Sequence, residues 1–158
     1  MSVIDIELAM KHLLAEPEDR DLVQSQLDGA ETAAAAYLNR AFFVDQAALD
    51  SARLSVSAAR YQARAAYDAA IAAAEQIEDH HQRCAAEADA GFVFSEALEA
   101  ATRTARGMVI NKAIEAACLL KLGHLFANRE EVVTGTIATE LPQGSKALLA
   151  PYRVGMGV

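Results

Sequence analysis

The stretch "SARLSVSAARYQARAAYDAAIAAAEQI", residues 51–77, has the spacing that decides the fold class. Counting in threes and fours from Leu49 gives Ala52, Val56, Ala59, Ala63, Ala66, Ala70, Ala73 and Ile77. That is a heptad seam built mainly of alanine. Alanine favours helix more than any other residue but buries little surface. Small seam residues let two helices approach at the short end of the usual ~8–10 Å separation. The spacing predicts a helix over 45–88, roughly 60 Å long at about 1.5 Å per residue.

Gly91 is the expected break, and a second long helix is predicted over 93–130. Its seam runs through Phe94, Leu98, Ala101, Ala105 and Met108, then Ile114, Ala117, Leu122 and Leu125. Folding back around 89–91 would put Ala70 near Ile110 and Ala63 near Ala117. Cys84 would then sit near the turn and Cys118 far down the stem. That register keeps the two sulfurs out of bonding reach.

Working outward, residues 4–14 place Ile6, Ala9, Met10, Leu13 and Leu14 on one helical face. Pro17 breaks the pattern, because it lacks an N–H and disfavours helix at Glu16. Asp19 or Asp21 can cap a helix over 20–39, whose face is Leu22, Val23, Leu27, Ala30, Ala34, Tyr37 and Leu38. Phe42 and Phe43 then enter the core. Residues 132–142 read as a short strand or hairpin around Thr134-Gly135. Residues 145–154 read as a short helix stopped by Pro151. The expected architecture is therefore all-α: a small helical bundle core with a long alanine-rich helical hairpin insertion, a short β/loop segment and a short C-terminal helix. The 158 residues form one domain, with 45–108 as the hairpin elaboration.

The totals agree with that class. Apolar residues make up 53 %, aromatic residues only 6 %, and tryptophan is absent. The formal charge of −8 argues against wrapping nucleic acid, which needs a basic footprint. It suits a surface that DNA slides past without sticking. Two isolated cysteines make neither a disulfide framework nor a zinc site. Asp5 and Glu7 stand where an export signal would carry positive charge. The run 65–74 is too short and too weakly apolar to span a bilayer.

Few residues suggest chemistry. His80 and Cys84 are four apart and share a helix face, but a metal needs three or four ligands. His124 has apolar neighbours in Leu122, Leu125 and Phe126, which favours a core or interface role over a general base. The carboxylates of Glu130 and Glu131 sit at a helix C-terminus, where they oppose the dipole. A salt bridge to another subunit would stabilise them, and a solvated helix end at Arg129, Glu130 and Glu131 is the equal alternative on spacing alone. Tyr152-Arg153 beside Pro151 suits a protein interface, where both residue types are enriched. No Gly-rich phosphate loop, nucleophile elbow or paired zinc-ligand motif is present. No catalytic residue, cofactor or metal is expected, and the protein is not expected to be an enzyme.

Three segments in order carry a resemblance: "AAAAYLNRAF" (33–42) at the end of the second helix, "AIEAACLLKLGHLFANREEVVTG" (113–135), and "LPQGSKALLAPYRV" (141–154). Together they resemble the head–tail connector, or adaptor, family of long-tailed double-stranded DNA phages. In that family a helix with a His/Trp–Tyr/Phe–x–Asn/His–Arg–Glu pattern precedes a loop and a short helix ending in Leu-Leu-x-Pro-Tyr-Arg. The matching residues are His124, Leu125, Phe126, Asn128, Arg129 and Glu130, then Leu148, Leu149, Pro151, Tyr152 and Arg153. The resemblance covers 4–43 and 110–154. It departs in the middle, where family members have a short connection and this chain inserts the alanine-rich hairpin.

The resemblance implies a structural virion protein made in the host cytoplasm and placed in the neck between head and tail. It would form a ring of about twelve subunits through head-to-tail contacts, beneath the portal protein and above the next neck or tail protein. DNA would pass through its channel without sequence-specific binding. His124, Asn128, Arg129, Glu130, Glu131, Tyr152 and Arg153 are the expected subunit or portal contacts. The alternative is a free-standing helical-bundle protein that dimerises through its alanine seam.

Overall fold

The computed structural model describes residues 2–128 and 144–155. Among the described residues the fold is all-α and 79 % helical. The described elements are α1 (Ile6–Leu13), α2 (Arg20–Leu38), β1 (Phe42–Phe43), α3 (Gln46–Ala74), α4 (His80–Ala105), β2 (Met108–Val109), α5 (Lys112–Ala127) and α6 (Gly144–Leu149). Short 3-10 turns at Pro17–Asp19 and Ala150–Tyr152 precede α2 and follow α6. The segment 132–142, expected as a strand or hairpin, lies outside the described residues.

The chain divides into two compact units. One is built from residues up to Gln46 and from Met108 onward; the other is Ala47–Gly107. The first unit holds the main core. Val23, Leu27, Ala30, Ala34 and Leu38 line one face of α2 and are buried. Their steps of four, three, four and four are one helical stripe. Opposite them α5 buries Ile114, Ala117, Cys118, Leu119 and Leu122. Helix α5 is apolar nearly all round, as a central helix must be, because α1, α2 and α6 all pack on it. Ala9 of α1 and Leu149 of α6 complete the cluster.

Local chemistry sets the helix ends. The Asp5 side chain accepts from the Glu7 N–H and starts α1, while Asn111 Oδ1 accepts from the Ala113 and Ile114 N–H groups at 3.1 and 3.0 Å and starts α5. Asp19 holds the cap position of α2 but makes no side-chain cap hydrogen bond. Its backbone is already helical because the 3-10 turn from Pro17 runs straight into the helix. Leu14 and Asn39 close α1 and α2 in the left-handed conformation, at φ 53° and 55°. This swings Leu14 out to 89 % exposure, and Leu22 is exposed as well, so neither belongs to the core faces expected of them. Phe42 packs against the core. Phe43 pairs with Val109 in a two-residue parallel ladder that joins β1 to β2. The second unit thus leaves and rejoins the first at neighbouring strands.

The hairpin helices depart from expectation in length and turn. The helix expected over 45–88 stops at Ala74. The chain turns at 75–79, and the Asp79 side chain caps α4 by accepting from Gln82 N–H at 2.8 Å. Asp79 with Gln82 three residues on is the acidic relative of a capping box. Gly91 is not a break but an interior residue of α4. The helix expected over 93–130 is two helices. Gly107 ends the first, the Met108 and Ile110 N–H groups bond to the carbonyls of Ala41 and Phe43, and Asn111 starts the second.

The register shifts accordingly. The rings of Tyr67 and Phe94 meet at 5.0 Å between centroids, and Ala63 and Ala70 share a groove with Ala90 and Ala97. Ile110 and Ala117 belong to the first unit's core instead. Cys118 is buried there rather than on a stem, and both cysteines are free. Nor do α3 and α4 close tightly. Ala59, Ala66, Ala70 and Ala73 stay exposed, and an apolar groove of about 500 Å³ runs between the helices.

A methyl group added at Gly91 meets nothing within 4 Å. Gly91→Ala should therefore raise stability by about 0.5–1 kcal/mol, the ordinary cost of glycine in a helix interior. Thermal unfolding measures this. A lower melting temperature would return the turn to Gly91.

Candidate assembly interface

Among the expected contact residues, His124 and Asn128 come together at the end of α5. The Asn128 amide nitrogen lies 3.0 Å from His124 Nδ1 and donates to the His124 carbonyl at 2.9 Å. The Asn128 N–H bonds to the same carbonyl, so this one side chain and its backbone close the helix. His124 is exposed, which removes the core role. Arg129, Glu130 and Glu131 lie outside the described residues.

Tyr152 and Arg153 form a second group, and its role is partly internal. Tyr152 packs half-buried on the core cluster. Its carbonyl accepts from Arg40 Nε at 2.9 Å, and the Val154 N–H donates to the Leu38 carbonyl at 3.2 Å. The Arg153 guanidinium lies over the Tyr37 ring, 4.8 Å from its centroid. The C-terminal "PYRV" is therefore clasped to the end of α2. Tyr37 and Arg40, which complete the clasp, were legible only as a helix-face residue and a loop residue. Of the pair expected to be exposed at 152–153, Arg153 is exposed, stacked on Tyr37, whereas Tyr152 is half-buried.

The metal-like cluster remains small. Cys84 Sγ lies 3.8 Å from both ring nitrogens of His80, on the exposed start of α4. Among the described residues no three His, Cys, Asp or Glu side chains are placed to hold a metal ion. No described helix is long and apolar enough to cross a membrane.

One buried carboxylate escaped the sequence reading. Glu31 is buried among the core residues of α2 and accepts hydrogen bonds from Val3 N–H at 2.8 Å and Ile4 N–H at 2.8 Å. It ties the N-terminal segment to α2. Burial pushes its pKa up, against the two backbone donors that pull it down. Burial also pushes the Cys118 thiol up to about 12, and the charge of Glu31 adds to the effect. Cys118 is accordingly a poor nucleophile, since the thiolate is the reactive form.

No protein-family model, curated protein or solved structure matches the chain.

Because the native pKa of Glu31 lies above its ordinary 4.5, the folded chain holds that proton more tightly than the unfolded chain. The resulting stability is fully present below the unfolded pKa and is lost as pH rises through the native value. Denaturant unfolding of wild type and Glu31→Gln across that window should show wild type losing ground to the variant as pH rises. A pH-independent difference would separate Glu31 from the linkage.

Proposed function

We propose that this chain is a head–tail connector, a structural subunit of a phage neck and not an enzyme. The observation that carries the reading is where the resembling segments sit. The described residues of all three belong to the first compact unit, around one core. The end of the "AAAAYLNRAF" segment and the end of the "LPQGSKALLAPYRV" segment are stitched together by the Arg40, Val154 and Tyr37 contacts. The inserted residues form a unit of their own. A shared core for distant segments is what a common ancestral fold with an insertion would leave.

In this reading the subunit forms a ring beneath the portal protein, carries DNA through its channel and receives the next neck or tail protein. A ring needs two different complementary patches on each copy. The α5 end, with His124, Asn128 and the following Arg129, Glu130 and Glu131, supplies one. The net charge of −8 fits a channel that DNA does not grip. Localisation in the virion neck follows from the same reading.

The exposed alanines of α3 and α4 favour a second reading, a free-standing dimerising bundle. Native mass over a wide concentration range, alone and with the portal protein, separates the two. The connector reading expects a species near twelve subunits, by itself or only on the portal, as for head-to-tail ring assembly. A tight dimer or tetramer at all concentrations, unchanged by the portal, would establish the bundle instead.

A further inference from the structure

Among the described residues Glu31 is the one buried charged side chain, at 7 % exposure. It stands inside α2 between the core residues Leu27 and Ala34. Both of its carboxylate oxygens serve the N-terminal segment: Oε2 accepts from Val3 N–H at 2.8 Å, and Oε1 accepts from Ile4 N–H at 2.8 Å. Among the described residues no Arg or Lys side chain pairs with it. A buried carboxylate without a cation, joined to a chain segment by two backbone donors, is an expensive way to hold that segment.

We propose that residues 2–13 form a strap operated by Glu31, closed on α2 and α5 while the carboxyl holds its proton and released as it ionises.

The strap is lightly held elsewhere. Helix α1 buries Ala9 fully, and Ile6, Leu8, Met10 and Leu13 only partly. Ile4, just ahead of it, is the second buried anchor. The ion pair from Glu7 to Arg20 is exposed and contributes little. Leu14 ends α1 at φ 53° and is 89 % exposed, so the chain leaves the helix without packing on the core. Beneath the strap, α2 and α5 bury Leu27, Leu38, Ile114 and Leu122 against each other. A segment with so few buried groups opens at lower cost than such a core. Its lifting bares the apolar residues of α2 and α5 in the cluster that Ile4 and Ala9 complete.

The charges around Glu31 set the direction. Burial raises its pKa and the charge of Asp28 adds to this, while the two backbone donors and the N-terminal ammonium pull it down. From α5, the buried Cys118 thiol is held neutral, and Lys121 acts on that thiol. Lifting the strap returns Glu31 to water and to its ordinary 4.5. The closed form therefore binds the proton more tightly than the open form. Closure is strongest below 4.5 and weakens as pH rises through the closed-state value. The apolar surface under the strap is thus offered in the ionised form.

Hydrogen exchange on the full chain tests this, from about pH 4 to about pH 8 and corrected for the intrinsic exchange rate at each pH. Wild type is compared with Glu31→Gln, which keeps the shape of the side chain and does not ionise. The readout is the protection of residues 2–13 in the variant divided by that in wild type. The other carboxylates of the strap, the Asp5 cap and Glu7, are common to both chains and cancel in this ratio. The ratio should climb as pH rises above 4.5, by up to about tenfold per pH unit, and then level off. Residues 2–13 should also be less protected than α2 and α5 at every pH. A ratio that is constant or falls with pH overturns the switch. Residues 2–13 as protected as α2 and α5 overturn the strap, because the segment would then open only with the whole fold.

Discussion

The packing of α5 against α2 is the contact on which the rest of the structure depends. Leu27 and Leu38 on one helix, and Ile114 and Leu122 on the other, are among the largest side chains fully removed from water. Burying each such side chain is worth about 1.5–3 kcal/mol. The other elements of the first unit attach to this pair. Helix α1 lays Ala9 on it, α6 adds Leu149, and the Glu31 carboxylate draws the N-terminal segment in by its backbone donors. The clasp of Tyr37, Arg40, Tyr152 and Arg153 closes the C-terminal end.

The second unit obeys a different constraint. Alanine holds a helix without a partner but offers little surface to bury. Helices α3 and α4 are long and well formed, yet their buried apolar residues are Leu49, Val56, Ala74, Ala90 and Ala101. Most helical stability in proteins comes from packing of an apolar face, not from propensity. A hairpin with an open alanine groove and two exposed apolar faces is under-packed on its own.

The course of α1, α2 and α6 was legible because each joins a clear apolar period to a stop: Pro17, Asn39 and Pro151. The hairpin was legible as helical but not in its turn. Alanine suits a seam and a surface equally, so counting in threes and fours continues unbroken past the true end at Ala74. The informative signals were caps. Asp79 with Gln82, and Gly107 followed by Asn111, mark where the helices start and stop, whereas Gly91 is tolerated inside one. In the candidate interface, His124 and Asn128 were found at their spacing of four. The internal contacts of Tyr152 and Arg153 were missed because their partners, Tyr37 and Arg40, lie more than a hundred residues away. No local pattern reveals such a contact.

Hydrogen exchange on the full chain tests this division of stability most directly. The account predicts that amides of α2 and α5 are the most protected and that those of α3 and α4 exchange faster, through local opening. Amides of α3 and α4 as protected as those of α2 and α5 would contradict it, because the alanine hairpin would then be as stable as the core.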